Sequence, residues 1–302
     1  MQVLFAVLGP VALIVIGILP MLGTILWQRW RERRHPRRSP LTKDMLRPPG
    51  YSLRAKIADI NGEINAALVA ACIIPLASYA IHISQSYWAG MPESLGRLVL
   101  TLLAACILTL LSAMNLLRLL EQRKHYILGL EGEQATAEEL NQLMLAGCRV
   151  FHDIPFPYGN IDHVVVSPSG VYTVNTKMRG KPSQGGRAEV TVDHARNVIR
   201  FPNGEYQIPT EQLATEAKWL SGFLSEATGE AIAVEPILAL PGWYIQERVG
   251  RGSVFVINPR KPHKFFIQRR QVLTPQLIDR IAHQLDQRCR DVEVSYRAER
   301  SW

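Results

Sequence analysis

An aspartate, an asparagine and a lysine lie on two adjoining β-branched runs of this chain. Gly159-Asn160-Ile161-Asp162-His163-Val164-Val165-Val166 leads into a Ser167-Pro168-Ser169-Gly170 turn, and Val171-Tyr172-Thr173-Val174-Asn175-Thr176-Lys177 leads out of it. Apolar, β-branched arms bounded by Pro, Ser and Gly predict a β-hairpin. A carboxylate, a second oxygen ligand and a lysine on one hairpin suit metal-dependent phosphodiester cleavage. Asp162 would bind a divalent cation, Mg²⁺ or Mn²⁺, through carboxylate oxygen. The cation would act as a Lewis acid on the scissile phosphate. Lys177 would orient or help deprotonate the attacking water and offset charge in the transition state. Asn175 stands where a second carboxylate is expected, and its amide brings no charge to balance the ion.

Alternation along a strand puts Asn175 and Lys177 on one face. Asp162 joins that face if the turn has even length, or if a three-residue turn carries a bulge. A plain three-residue turn sends Asp162 to the opposite side. Glu133, near the start of the preceding helix, would complete the metal shell directly or through water. Each residue also has a plainer reading. Asp162 could be a turn or edge aspartate bonded near the Asn160 backbone, and Lys177 a solvated strand-end lysine. Glu133 would be favoured in a first helical turn by the dipole alone. His163 points to the other face and reads as structural.

Around the hairpin, the pattern predicts an amphipathic helix over Glu131–Ala146, set off by Gly129 and Gly132 and ended by Gly147. A strand follows at Cys148–Ile154, and after the hairpin a Gly/Lys/Arg/Ser loop over 178–188. Glu189–Val192 and Val198–Phe201 read as a strand pair turning back at Asn203-Gly204. Thr210–Ala227 reads as a helix, Val234–Leu240 and Ser253–Ile257 as strands, and Thr274–Arg288 as a closing helix with Pro275 in its first position. The order α-β-β-β-α-β implies a mixed sheet flanked by helices.

The apolar content is unevenly spread. Residues 3–27, 64–83 and 98–119 are each long and apolar enough to span a hydrocarbon core of about 30 Å. The first run is too long for a signal peptide and meets Arg-rich sequence with no small-x-small site, so it reads as an uncleaved anchor. Residues 1–126 thus read as a transmembrane module and 127–302 as a soluble domain. Arg29, Arg31, Arg33, Arg34, Arg37, Arg38, Lys43, Arg47, Arg54 and Lys56 crowd the loop at 28–62, whereas Ser84–Gly96 has no Lys or Arg. The positive-inside rule then sets the N-terminus outside, with the basic loop and soluble domain in the cytoplasm, at a cell (inner) membrane.

The formal charge is +8, much of it in that loop, where anionic lipid headgroups are the expected contact. Arg179, Lys181, Arg187, Arg260, Lys261, Lys264, Arg269 and Arg270 could track a phosphate backbone or form a solvated face. The four cysteines show no zinc spacing. Almost no charge lies within the spans, which argues against a transporter.

Gly132-Glu133, the Gly159–Val166 run, the Ser-Pro-Ser-Gly turn and Val174-Asn175-Thr176-Lys177 together resemble the nuclease-related domain, or NERD, of the PD-(D/E)XK nuclease superfamily. The resemblance covers residues 129–245. It implies a restriction-endonuclease-like αβββαβ core of mixed α/β (α+β) class. It also implies a helix glutamate at Glu133, a metal aspartate at Asp162, an acidic position at Asn175, the lysine at Lys177 and a later helix glutamine at Gln212. Without the family, Gln212 reads as an ordinary helix-surface residue. The implied activity is magnesium-dependent hydrolysis of DNA or RNA at a membrane. The alternative is a weak or inactive nuclease-fold module that binds nucleic acid or a protein partner. A membrane scaffold that docks another protein is a third reading.

Overall fold

The computed structural model describes residues 2–34, 40–88, 94–181 and 188–294, without the side chains of 2–15, 17, 18, 85 and 88. The chain divides into two compact units, Met1–Met45 with Arg290–Trp302, and Leu46–Cys289. In the first unit, helix α1 (Gln2–Arg34) contains the expected first span. Most side chains of that span, those of residues 3–15, 17 and 18, lie outside the described residues. Met45 bridges Val292 in the same unit.

The second unit begins with helices α2 (Tyr51–Trp88) and α3 (Leu95–Asn141). Ile60, Ala67 and Leu119 pack between them, with Ile64, Leu116 and Tyr126 alongside. Ser112 Oγ donates to the Ala67 carbonyl at 3.2 Å, and Ser94 caps the start of α3 by accepting from the Arg97 N–H. Most other apolar side chains here face outward: Leu76 is 71% exposed and Leu100 68%. A soluble surface seldom carries so large an apolar patch. Both helices are long and apolar enough to cross a membrane.

The glycines expected to interrupt α3 do not. The helix runs through Gly129 and Gly132 to Asn141, and a 3₁₀ turn, Gln142–Ala146, closes at Gly147 with φ +85°. Residues 131–141 of the expected separate helix are therefore the last part of a 47-residue rod, and the expected module boundary at 126/127 falls inside it. Interior glycine costs about 1 kcal/mol of helix propensity, but close packing explains it here. A Cβ at Gly132 would stand 2.6 Å from Met178 Cβ and 3.4 Å from Thr176 Cγ2.

The core continues with β1 (Arg149–Phe156), β2 (Gly159–Ser167) and β3 (Gly170–Thr176). Strands β4 (Glu189–Asp193), β5 (Val198–Phe201) and β6 (Gly204–Gln207) follow, then helix α4 (Thr210–Thr228). After β7 (Val234–Ala239), β8 (Tyr244–Val249) and β9 (Phe255–Ile257) come the short α5 (His263–Phe266) and α6 (Pro275–Cys289). The main sheet has the order β1-β2-β3-β7-β9, antiparallel through β3 and parallel beyond it. The second sheet is β6-β5-β4-β8. The expected mixed sheet is present, consistent with an α+β nuclease fold. Strands β6 and β8 were not expected. Both are sheet edges with mostly exposed side chains, so they lack the apolar alternation that marks a strand.

One face of the main sheet, with Val164, Val166 and Val171, packs on Leu220, Leu224, Ile281 and Leu285 of α4 and α6. The other face, with Val165, Tyr172 and Val174, packs on Leu140, Leu143 and Phe266.

Replacing Gly132 by Ala should destabilise the chain by about 1–3 kcal/mol through overpacking. Gly129→Ala, with Leu53 Cδ1 at 3.4 Å, should be neutral or stabilising. Thermal unfolding of the two variants separates close approach from helix propensity. Equal midpoints would refute the packing explanation.

Candidate active site

The β2–β3 hairpin has a two-residue turn, with Ser167 paired to Gly170 and His163 to Val174. That even length extends the register to Asp162 opposite Asn175, so the two share the face on which α4 lies. Asp162 is half-buried. Its Oδ2 accepts a hydrogen bond from the Thr176 N–H at 2.7 Å. It is therefore not a turn aspartate bonded near Asn160; Asn160 Nδ2 instead donates to Asp153. Lys177 follows at the end of β3, where its N–H extends the parallel pairing to the Ala239 carbonyl at 2.9 Å. Its side chain is exposed, with Nζ 4.9 Å from the centroid of the Tyr206 ring.

Glu133 reaches the site from α3, which Gly132 seats against the end of β3. Glu133 is only 6% exposed, and its Oε2 has no hydrogen-bond partner. The turn before α2 closes over it. Gly50 has φ +69°, and a Cβ there would stand 2.2 Å from Leu130 Cδ1 and 3.6 Å from Glu133 Oε2. Burial first, then the charges of Asp162 and Asp153, push the Glu133 carboxyl up to about 9 against Lys56 and the Gly50 N–H. Burial likewise raises Asp162 to about 7; the Thr176 N–H opposes this, Glu216 and Asp153 add to it, and Lys177 lowers it.

The sequence reading missed Glu216, on α4. It is 1% exposed, and Asn175 Nδ2 donates directly to its Oε2. Gln212, one turn earlier, donates from Nε2 to Glu216 Oε1 at 2.9 Å. Gln212 is thus a surface residue on one side and a support for a buried carboxylate on the other. Burial raises the Glu216 carboxyl, and the Gln212 and Asn175 hydrogen bonds hold it down. The charge absent from strand position 175 is therefore present on the facing helix. A signal existed: Glu216 falls among Leu213, Ala217 and Leu220 in the buried stripe of α4.

Asp153 was also missed. The β1–β2 register brackets it across from Asp162, with His152 paired to His163 and Ile154 to Ile161. It has φ +52° and is fully buried. Arg47 Nη1 lies 2.9 Å from its Oδ2, Ser52 Oγ donates to that oxygen at 2.7 Å, and the Ser52 N–H donates to Oδ1 at 3.1 Å. Asp153 therefore fastens the N-terminus of α2 to the sheet.

His163 faces away from Asp162, as expected. Its Nδ1 lies 2.9 Å from His152 Nδ1 and its Nε2 3.3 Å from Thr176 Oγ1. Burial lowers His152 to about 4 and His163 well below its usual value, which keeps this relay neutral and structural.

Glu133, Asp153, Asp162, Asn175, Lys177 and Glu216 thus surround one end of the main sheet. Among the described residues, no three His, Cys, Asp or Glu side chains stand close enough together to hold a metal ion. Even so, the donor set suits a divalent cation. Three of its carboxyls are raised by burial, and one buried oxygen has no partner. A hard cation with oxygen ligands would relieve both conditions.

Residues 128–241 match the nuclease-related domain, NERD. No curated protein and no solved structure matches the chain. The matched nuclease-related domain contains every residue of this site. It begins inside α3 and ends just past β7, so α1, α2 and the apolar part of α3 lie outside it.

Raised carboxyls give the nuclease-related domain a characteristic pH response. The folded chain keeps protons that the unfolded chain releases, so stability falls as pH rises from the ordinary carboxylate range through about 7 for Asp162 and about 9 for Glu133. Unfolding midpoints measured in EDTA should decline between about pH 7 and about pH 9, above the range where the buried neutral His152 and His163 give the opposite slope, and Glu133→Gln should flatten that decline. Midpoints that rise over this interval would contradict the assigned crowding of carboxylates.

Proposed function

We propose that the chain is a membrane-anchored nuclease that hydrolyses phosphodiester bonds of DNA or RNA with Mg²⁺ or Mn²⁺. One observation carries this reading. Asp162, fixed by the Thr176 N–H, stands across from Asn175 with Glu216 behind it and Lys177 at the strand end. Asp162 and Glu133 would hold the cation, with Asn175 Oδ1 as a neutral ligand and Glu216 behind it. The cation would supply Lewis-acid polarisation of the scissile phosphate. Lys177, exposed at the rim, would orient the attacking water and offset phosphate charge. Asn175 and Gln212 position the Glu216 carboxylate.

The apolar helices support an anchor, and Lys/Arg asymmetry supports a cytoplasmic nuclease-related domain with the N-terminus outside. Residues 3–27 would add a third span to the two in α2 and α3. The basic loop would rest on anionic headgroups. A second reading, a nuclease fold that binds nucleic acid or protein without turnover, is favoured by the same Asn175–Glu216 bond, because it commits that amide within the protein.

The full chain, purified in detergent, should cleave plasmid or single-stranded substrates when Mg²⁺ or Mn²⁺ is added. Asp162→Ala and Lys177→Ala should lose at least about 100-fold in turnover. Unchanged turnover in both would reject the catalytic reading. Asn175→Asp should add a like charge beside Glu216 and lower stability. The exchange Asn175→Asp with Glu216→Gln should recover metal-dependent activity to within about 10–100-fold of the parent. No metal-dependent cleavage in the parent would leave the binding module as the correct reading.

A further inference from the structure

Beyond Lys177, the chain runs Met178-Arg179-Gly180-Lys181, and each cation in this stretch lies over an aromatic ring. Lys177 Nζ is 4.9 Å from the Tyr206 centroid, Arg179 Cζ 4.8 Å from that of Phe201 and Lys181 Nζ 5.8 Å from that of Trp243. The rings come from β6, β5 and the turn after β7, so the row leaves the main sheet and crosses onto the second. Its path is fixed: Trp243 Nε1 donates to the Arg179 carbonyl at 3.1 Å, and Arg179 Nη2 donates to the Asn203 carbonyl at 3.3 Å. Lys177 and Lys181 are exposed and Arg179 is partly so. None of the three forms an ion pair with a carboxylate among the described residues. Arg280 and Arg269, by contrast, are paired with Glu230 and Glu235.

Cations held over rings, without acidic partners, keep their charge outward at low entropic cost. Three cations at positions 177, 179 and 181, each seated on a ring of the second sheet or the turn beside it, offer repeated positive charge along one segment. A chain of phosphodiesters is the ligand with that repeated negative charge. The row starts at Lys177, beside Asp162, and leads away from it.

We propose that Lys177, Arg179 and Lys181 form a track for the sugar-phosphate backbone of a nucleic-acid strand, leading it from the second sheet to Asp162. The track rests on the nuclease reading for its direction, but binding to it needs no metal. It reads phosphates rather than bases, so it gives affinity without sequence preference.

The test is fluorescence anisotropy of a labelled oligothymidine, about 20 nucleotides long, with full chain in detergent and EDTA, over a range of salt. The parent should bind, with log K falling linearly against log salt. Arg179→Gln and Lys181→Gln should each reduce the size of that slope by about 0.7, the value for one lost single-strand phosphate. Arg179→Lys should restore it, and Arg280→Gln should leave it at the parent value. Unfolding midpoints of the glutamine variants within a few degrees of the parent would exclude loss of fold. Parent-like slopes in Arg179→Gln and Lys181→Gln, or no binding by the parent, would overturn the track. Asp162→Asn separates the two proposals: it should abolish cleavage while keeping the parent slope. A chain that binds with these slopes but never cleaves would retain the track and lose the nuclease reading.

Discussion

The hydrogen bond from the Thr176 N–H to Asp162 Oδ2, at 2.7 Å, fixes where everything else must stand. It locks an aspartate on β2 against the outgoing end of β3. With the two-residue turn at Pro168-Ser169, it leaves one register for the hairpin. A slip of one residue would turn Asp162 to the opposite face and put His163 in its place. Helices α3 and α4 then approach opposite sides of a strand end whose chemistry is already set. Gly132 permits the first approach, and the Asn175–Glu216 bond registers the second.

The acid-rich end of the sheet is unfavourable by itself. Glu133, Asp162 and Glu216 are each raised by desolvation, and the charges of Asp153 and Glu216 press on their neighbours. Lys56 opposes the rise at Glu133 and Lys177 that at Asp162, while Arg47 is paired to Asp153. A hydrophobic replacement would cost less, which marks this end of the sheet as a candidate functional site. The buried Glu133 oxygen without a partner belongs to the same pattern.

The hairpin was legible in the sequence because its β-branched arms and Pro-Ser turn are local, but its register hung on the turn length, which the pairing of Ser167 with Gly170 decides. So were α4 and α6, whose apolar stripes repeat at helical spacing. Glu216 was harder, since its role depends on a residue 41 positions away that hydrogen-bonds to it. Asp153 was hidden by its positive φ, which no spacing rule announces. The continuity of α3 was misread because glycine was taken as a breaker. Its meaning lay in Met178, which no local window contains. Edge strands β6 and β8 were missed for want of a buried face.

The unbroken α3 carries one more consequence. A helix advances about 1.5 Å and turns about 100° with each residue. Glu133 lies 14 residues past the end of the apolar run at Leu119, on the same rod. Its distance along the rod from the apolar run and its compass bearing about the helix axis are therefore one quantity, set by residue count. One added residue between them would swing the carboxylate away from Asp162, whereas seven would return it to nearly the same bearing about 10 Å higher. The distance from the apolar run to Glu133 can thus change only in steps close to whole numbers of turns, as a screw thread allows a nut to seat only at certain depths.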